Sequence, residues 1–481
     1  MSFKLFQNIQ KGQQSSILSN SLWGVVSNVL QNILFSIFFI ILARTYSTDE
    51  FGNYVISNTI YSFVLGFSSL GLGHWFIREV VNDEAGKQSM VNKFFKMQIL
   101  IGIIFMGVNV VVTYALYEQQ VVRSLALVFG INIIFDNIIN GIKYLNIANQ
   151  RQRITFGLLI LEALLKCMVA VLLLFYHLDV ILLSMILLGL RFLTLNLFLN
   201  IGSSNELKLP GIIRVKVSWH EFSSIVLKNW PFIVISTLSI INWRIGNIFV
   251  SKMLTLKDVA DFEVSFKLLS IAYLVPIVVA TTLYPKLIKA LQSGTEELRK
   301  LYLKFHLPFL IYGVLSFAFV ISFSDVFVPL LFGDKFLDTA QYCNQIFLVM
   351  LVFPSIFLQA NVLLALKLER LDVFINLASV VVNVLICAIG LHYVKNLTVV
   401  NIAIFVSLCC FHLAQDFILV RRKVAHVSHV FFYYLMMAII AAVFIFSRSF
   451  VPGYLLFLIL ISVLALVLIF NYNRIKHFYQ Q

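Results

Sequence analysis

Long apolar runs alternate with short polar breaks along the whole chain, and the breaks set the rhythm. A helix needs about 20 apolar residues to cross the hydrocarbon core of a bilayer. Reading runs of that length between breaks predicts fourteen helices. They fall at roughly 17–43, 54–77, 97–116, 124–147, 155–176, 180–200, 229–251, 262–284, 305–324, 342–366, 373–393, 398–420, 430–447 and 453–471. Within 155–200 only His177 and Asp179 mark a turn.

The breaks also repeat. Residues 42–54 read LARTYSTDEFGNY, and 250–262 read VSKMLTLKDVADF. Arg44 and Lys252 set an offset of 208 that holds without a gap from Asn20/Lys228 to Arg78/Lys286. Ser47-x-x-Glu50 has the spacing of a capping box, and Thr255-x-x-Asp258 repeats it. Phe51 and Tyr54 match Val259 and Phe262, which puts an aromatic at the interface in each copy. Farther on, Asn149-Gln150-Arg151 aligns with Leu368-Glu369-Arg370 at an offset of 219. Six predicted helices separate the copies, an even number, so both point the same way through the membrane. The expected architecture is an all-α polytopic membrane protein of about 14 helices. It has two parallel six-helix lobes in pseudo-twofold repeat, followed by a helix pair with no repeat partner. The predicted divisions are a tail at 1–16, an N-lobe at 17–200, a linker at 201–228 containing Pro210-Gly211, a C-lobe at 229–421, and the helix pair with its tail at 422–481.

Composition agrees with this pattern. Of 481 residues 60% are hydrophobic and 12% charged, with 46 Phe and a mean hydropathy of +0.94. Soluble domains carry about 25% charged residues. The net charge of +14 forms no soluble basic domain, which argues against nucleic acid as a partner. It follows membrane orientation instead. With the N-terminus cytosolic, 24 of the 36 Lys and Arg fall in cytosolic segments, and the acids show no such bias. Both termini are then expected inside. The five cysteines lie in apolar runs and read as small packing residues rather than a disulfide framework.

No P-loop, H-E-x-x-H or paired C-x-x-C is present, and no soluble segment exceeds about thirty residues. Cofactor, metal and enzyme readings therefore find little support. A membrane-embedded polysaccharide polymerase is the weakest of them, because the longest outer loop, near 325–341, is short. The ionisable residues inside predicted helices are Asp136, Lys143, Glu162, Lys166, Arg191, Arg244, Glu263, Lys267 and Asp416. Such residues are costly in lipid and are functional candidates by default. Glu162/Lys166 and Glu263/Lys267 are i,i+4 pairs, and Asp136/Lys143 share a helical face, so a stabilising role competes with a functional one. Arg191 and Arg244 have no local acid. Arg244, about 20 Å along its helix from Pro231, is flanked by Asn242, Trp243 and Asn247. A guanidinium among amides and an indole suits phosphate and sugar, and pairing with Asp416 or another distant acid is its structural alternative. Asn28, Gln31 and Asn32 form an amide stripe that either lines a cavity or joins helices.

LARTYSTDEFGNY, with Arg44, Ser47, Glu50, Phe51, Gly52 and Tyr54, and the following SSLGLGHWFIREV at 68–80 resemble the polysaccharide-exporting branch of the multidrug/oligosaccharidyl-lipid/polysaccharide transporters. More narrowly they are similar to O-antigen-type flippases. The resemblance implies a bacterial inner-membrane protein that moves undecaprenyl-diphosphate-linked oligosaccharides by alternating access, for O-antigen, capsule or exopolysaccharide assembly. It implies lipid-linked oligosaccharide and membrane lipids as partners, with a polysaccharide polymerase and a chain-length regulator as further candidates. Arg244, Lys267, Arg191, Asn32, Asn28, Trp243 and Asn247 become cavity candidates. Asp136, Glu263 and Asp416 become candidates for ion coupling, since no nucleotide site exists. The rival is a multidrug and toxin extrusion antiporter driven by H⁺ or Na⁺. Such antiporters use carboxylates in the first or seventh helix, which this chain lacks.

Overall fold

The computed structural model describes residues 17–82, 86–204, 206–207, 209–229, 241 and 244–470. These are helical almost throughout, with no strand among the described residues. Ten helices are long and apolar enough to cross a membrane, and two shorter apolar helices, Val29–Thr45 and Gly453–Leu466, accompany them. The protein is a multi-pass membrane protein. The expected fourteen crossings are not all met among the described residues. The predicted second span, 54–77, is two helices, α2 (Thr48–Ser68) and α3 (Leu72–Asn82). Leu70 and Gly71, both at positive φ, break them apart. The predicted seventh span lies largely outside the described residues. The predicted eighth grows into α11 (Leu256–Ala272) and α12 (Leu274–Ser293).

The turn expected near His177 and Asp179 is present. Helix α6 (Gln152–Leu172) ends before it, and Asp179 opens α7 (Val180–Leu197) by accepting from the Ile181 N–H at 3.1 Å. Both expected capping boxes form. The Glu50 N–H donates to Ser47 Oγ at 3.2 Å and the Ser47 N–H to the Glu50 carboxylate at 3.0 Å. Asp258 and Thr255 repeat this at 3.2 and 3.0 Å. Each box satisfies two amides that the first helical turn leaves unpaired. Ser47→Ala is expected to lower stability by about 1 kcal/mol, read as a fall in the thermal midpoint in detergent, with Ser47→Thr close to the parent protein.

The chain divides into two compact units, with the boundary between Ile248 and Phe249. In the first, α1 (Ile17–Thr45) packs on α6, and α5 (Gln120–Ala148) packs on α2, α7 and α4 (Lys87–Leu116). Phe76 and Phe94 stack at 3.9 Å in its core, beside Ile139, Ile142 and Phe198. The segment predicted as a linker lies within this unit. Its α8 (Leu209–Arg214) and α9 (Trp219–Lys228) are tied to α4 by Lys93–Glu221 at 2.7 Å and by Lys96, which donates to the Ile213 and Val215 carbonyls. Glu206 gathers Lys87, Asn149 and Arg151 at the same end. The helix 244–253, here α10, crosses the unit boundary.

In the second unit, α13 (Thr295–Phe332), α14 (Thr339–Ile346), α15 (Phe353–Ala365), α16 (Glu369–Tyr393) and α17 (Leu397–Arg421) follow α11 and α12. Gly313 lets α13 lie against the short turn at 347–351, for a Cβ there would sit 2.2 Å from the Met350 carbonyl oxygen. The last helices, α18 (Val427–Ser447) and α19 (Gly453–Phe470), pack on α13.

The second repeat match needs a correction. Helix α5 ends at Ala148 with Gln150 at φ 57°, and α15 ends at Ala365 with Lys367 at φ 59°. The closing bonds are the same, from the Arg151 N–H to the Asn146 carbonyl and from the Leu368 N–H to the Leu363 carbonyl. Gln150 therefore corresponds to Lys367, two residues earlier than the side-chain alignment placed it. The left-handed residue that closes the helix sets the register, whereas the matching arginines lie in the next element.

Candidate functional site

Two buried polar clusters form, one in each unit. The first joins four helices. Arg191 of α7 is paired with both Asp136 of α5 and Glu162 of α6, and the Tyr61 hydroxyl of α2 also donates to Asp136. Lys166 completes the group by pairing with Glu162 at 2.8 Å, its ammonium lying over the Phe35 ring. The side chains of Arg191, Asp136 and Glu162 are 12%, 8% and 2% exposed, so lipid and water barely reach them. Two carboxylates face two cations, and the cluster is charge-balanced.

The expected Glu162–Lys166 pair is thus present, with Arg191 added from a distant helix. The expected Asp136–Lys143 pair is not: Lys143 donates to Asn140 at 3.0 Å, while Arg191 and Tyr61 take Asp136. A planar guanidinium from α7, which gives one nitrogen to each of two carboxylates, outcompetes an ammonium two turns away on the same helix. Arg191, which has no local acid in sequence, has two in space.

The second cluster joins α13, α15, α17 and α18. Asp416 accepts from Gln359 Nε2 at 2.7 Å and from the Tyr434 hydroxyl at 3.3 Å, and Gln359 also donates to the Tyr302 hydroxyl at 3.2 Å. His412, one turn before Asp416, sets Nδ1 at 3.2 Å from the carboxylate and beside the Tyr434 hydroxyl, with Nε2 2.6 Å from Ser355 Oγ. Tyr433 stacks on the His412 ring and donates to the Leu351 carbonyl at 2.6 Å. His306 lies behind Tyr433, followed by the half-buried His429. Sequence reading found Asp416 and missed the rest. His412-x-x-x-Asp416 has the same i,i+4 spacing that singled out Glu162/Lys166, and it was the available signal.

A third feature is apolar. A groove of about 910 Å³ opens in the second unit among α11, α13 and α19. Leu268, Ile271, Leu315, Phe319, Phe457 and Ile461 line it, and Tyr312 and Ser316 are its few polar members. Gly453 brings the start of α19 onto α13, where an added Cβ would meet the Ser322 carbonyl oxygen at 2.4 Å.

The other predicted residues are spread along both units. Arg244 is half-buried and Asn247 buried on α10, whereas Trp243 lies outside the described residues. Glu263 is buried and Lys267 half-buried on α11. Asn32 is half-buried on α1, its carbonyl accepting from Ser36 at 2.6 Å, while the Asn28 side chain lies outside the described residues. Arg44 and Ser47 are exposed at the α1–α2 joint, with Glu50 closing its capping box. Phe51 and Gly52 are buried there, and Tyr54 packs on Phe129 at 5.7 Å.

Against known families, the model of a family described as polysaccharide biosynthesis protein matches residues 41–341. The chain belongs to that family. Among solved structures, this polysaccharide biosynthesis protein resembles a lipid II flippase, MurJ, in an inward closed conformation. The TM-score is 0.68 at 14% identity, over 93% of this chain and 99% of that one. It also resembles an inward-facing multidrug resistance MATE family transporter of the MOP superfamily, with TM-score 0.66 and 13% identity over 82% and 96% of the chains. A third likeness is to a MOP superfamily transporter from Pyrococcus furiosus described as having a binding pocket of reversed polarity, with TM-score 0.53 and 12% identity over 87% and 98%. At such identities the likeness defines the fold, which is that of the multidrug/oligosaccharidyl-lipid/polysaccharide transporters. Comparison with curated protein sequences yields no match.

Proposed function

We propose that this polysaccharide biosynthesis protein is a flippase that moves polyprenyl-diphosphate-linked oligosaccharides across the bacterial inner membrane by alternating access. The observation that carries the reading beyond the family is the apolar groove walled by α19. A groove open to lipid and nearly free of polar groups suits a polyprenyl tail, which stays in hydrocarbon while the head group crosses. Arg244 and Lys267 are each proposed from the sequence as contacts for the diphosphate, and Trp243, Asn247, Asn28 and Asn32 as contacts for the sugars. Arg191 is better assigned to holding α5, α6 and α7 together, because Asp136 and Glu162 occupy its guanidinium. The same pairing removes Asp136 and Glu162 as ligands for a cationic drug. A polysaccharide polymerase and a chain-length regulator remain the proposed partners, with both termini cytosolic.

The purified protein in lipid vesicles, given a polyprenyl-diphosphate oligosaccharide, is expected to move its head group across the bilayer. Arg244→Ala is expected to slow that movement about ten- to hundredfold, the value of one charge-assisted contact to phosphate, with unchanged protein levels. Drug resistance conferred by the gene, with surface polysaccharide intact on its deletion, would overturn the reading.

A further inference from the structure

The two buried clusters differ in one chemical respect. The first contains Arg191, which stays protonated in proteins, and a lysine, two cations set against its two carboxylates. The second holds Asp416, His412, His306 and His429 with Tyr302, Tyr433 and Tyr434, and no Lys or Arg among its described members. Its charge is set by the protons it binds.

Hydrogen-bond accounting locates the place. Ser355 Oγ lies 2.8 Å from the Val352 carbonyl, 2.6 Å from His412 Nε2 and 3.2 Å from the Tyr433 hydroxyl, and in the arrangement in which its one proton goes to the carbonyl it accepts from His412 Nε2–H. A neutral His412 then presents Nδ1 as an acceptor. That nitrogen faces the Asp416 carboxylate at 3.2 Å, and the Tyr434 hydroxyl, beside both, has one proton to give. Two acceptors thus oppose each other, and a neighbouring donor can satisfy only one of them. An added proton turns that opposition into a charge-assisted hydrogen bond.

We propose that the His412–Asp416 pair is a proton-binding site. With imidazole neutral and carboxylate ionised the pair carries one negative charge. One proton taken from hydronium forms an N–H bond at Nδ1 or an O–H bond at Oδ2, breaks one O–H bond of the hydronium and leaves water, and brings the pair to zero. Beyond the pair the rings of Tyr433, His306 and the half-buried His429 follow at centroid distances of 5.1, 5.2 and 5.1 Å from one to the next. The groups facing the pair are Tyr302 and His306 from α13, and Tyr433, Tyr434 and His429 from α18. Asp372 of α16 stands one step away, through Gln415, and Cys409 adjoins on α17. Helix α15 contributes only Ser355 and Gln359, which do not titrate. Because Tyr434 must choose its acceptor according to whether the proton is present, occupancy is passed to α18, and through α13, on which α18 and α19 both pack, to the groove. Only this last step rests on the flippase reading.

The test uses the full-length protein in lipid vesicles without substrate, by infrared difference spectroscopy between about pH 5 and about pH 8. A protonated-carboxylic-acid carbonyl band is expected at the acidic end, absent in Asp416→Asn. Its midpoint is expected to move by about one pH unit or more in His412→Gln and in Tyr434→Phe, variants that keep the carboxylate should Asp416→Asn fail to fold. A band that survives Asp416→Asn, a midpoint unmoved in His412→Gln, or no titrating band at all would overturn the site. These spectra need no transport. Failure of the vesicle flipping assay would sink the flippase reading and leave them as they are.

Discussion

Arg191→Ala is expected to destabilise the first unit by about 3–5 kcal/mol, the cost of removing one partner from a buried ion pair. Asp136 and Glu162 would be left facing each other with Lys166 as the remaining cation and Tyr61 as a single neutral donor. Lys166 already pairs with Glu162 and cannot reach both carboxylates as a planar guanidinium does. A fall of that size removes much of the 5–15 kcal/mol by which a folded protein exceeds its unfolded state. The measurement is the yield of folded protein in the membrane fraction and the thermal midpoint in detergent. The quadruple variant Arg191→Leu, Asp136→Asn, Glu162→Gln, Lys166→Met separates charge from packing. Without any charge to desolvate it is expected to recover most of the loss. A single variant as stable as the parent protein would show that the cluster does not hold the helices, and would return Arg191 to the list of substrate contacts.

How much of this was legible in the sequence depends on the range of each interaction. The joints at Ser47 and Thr255 were readable because a capping box lies within four residues and its chemistry is local. The Glu162–Lys166 pair was readable for the same reason. Arg191 was not, since its partners lie on two other helices, and helix spacing alone does not say which faces meet. The break at Leu70–Gly71 was missed because the run around it stays apolar, so hydropathy counts one span where the backbone makes two helices. The offset of the second repeat match was misread by two residues because side-chain likeness stood in for a backbone turn. His412 shows the remaining kind of miss. Read as an isolated apolar-run histidine it says nothing, and its meaning appears only with Ser355, Tyr434 and Asp416 around it. The groove was likewise beyond sequence reading, because it is formed by surfaces of α11, α13 and α19 that are apolar like every other lipid-facing surface.

Filling that groove is the variant expected to affect transport most. Ile461→Trp, or Leu315→Trp from the opposite wall, places an indole in the space of about 910 Å³ without loading the closely packed core. A tail already dissolved in lipid gains no hydrophobic free energy by entering the groove, so its benefit is van der Waals contact and alignment. Contacts are worth about 0.1–0.2 kcal/mol per atom pair, so losing some ten of them costs about 1–2 kcal/mol, close to a tenfold change. Head-group movement of a long-chain polyprenyl substrate is therefore expected to slow about tenfold in each variant, and further when both are combined. A substrate cut to a few isoprene units has little tail to seat and is expected to move at nearly the parent rate. The thermal midpoint should stay close to that of the parent protein, because both side chains point into open space. Equal slowing of long and short substrates would mean that the indoles disturb the helices rather than the tail. Unchanged movement of the long substrate would remove the groove from the transport path.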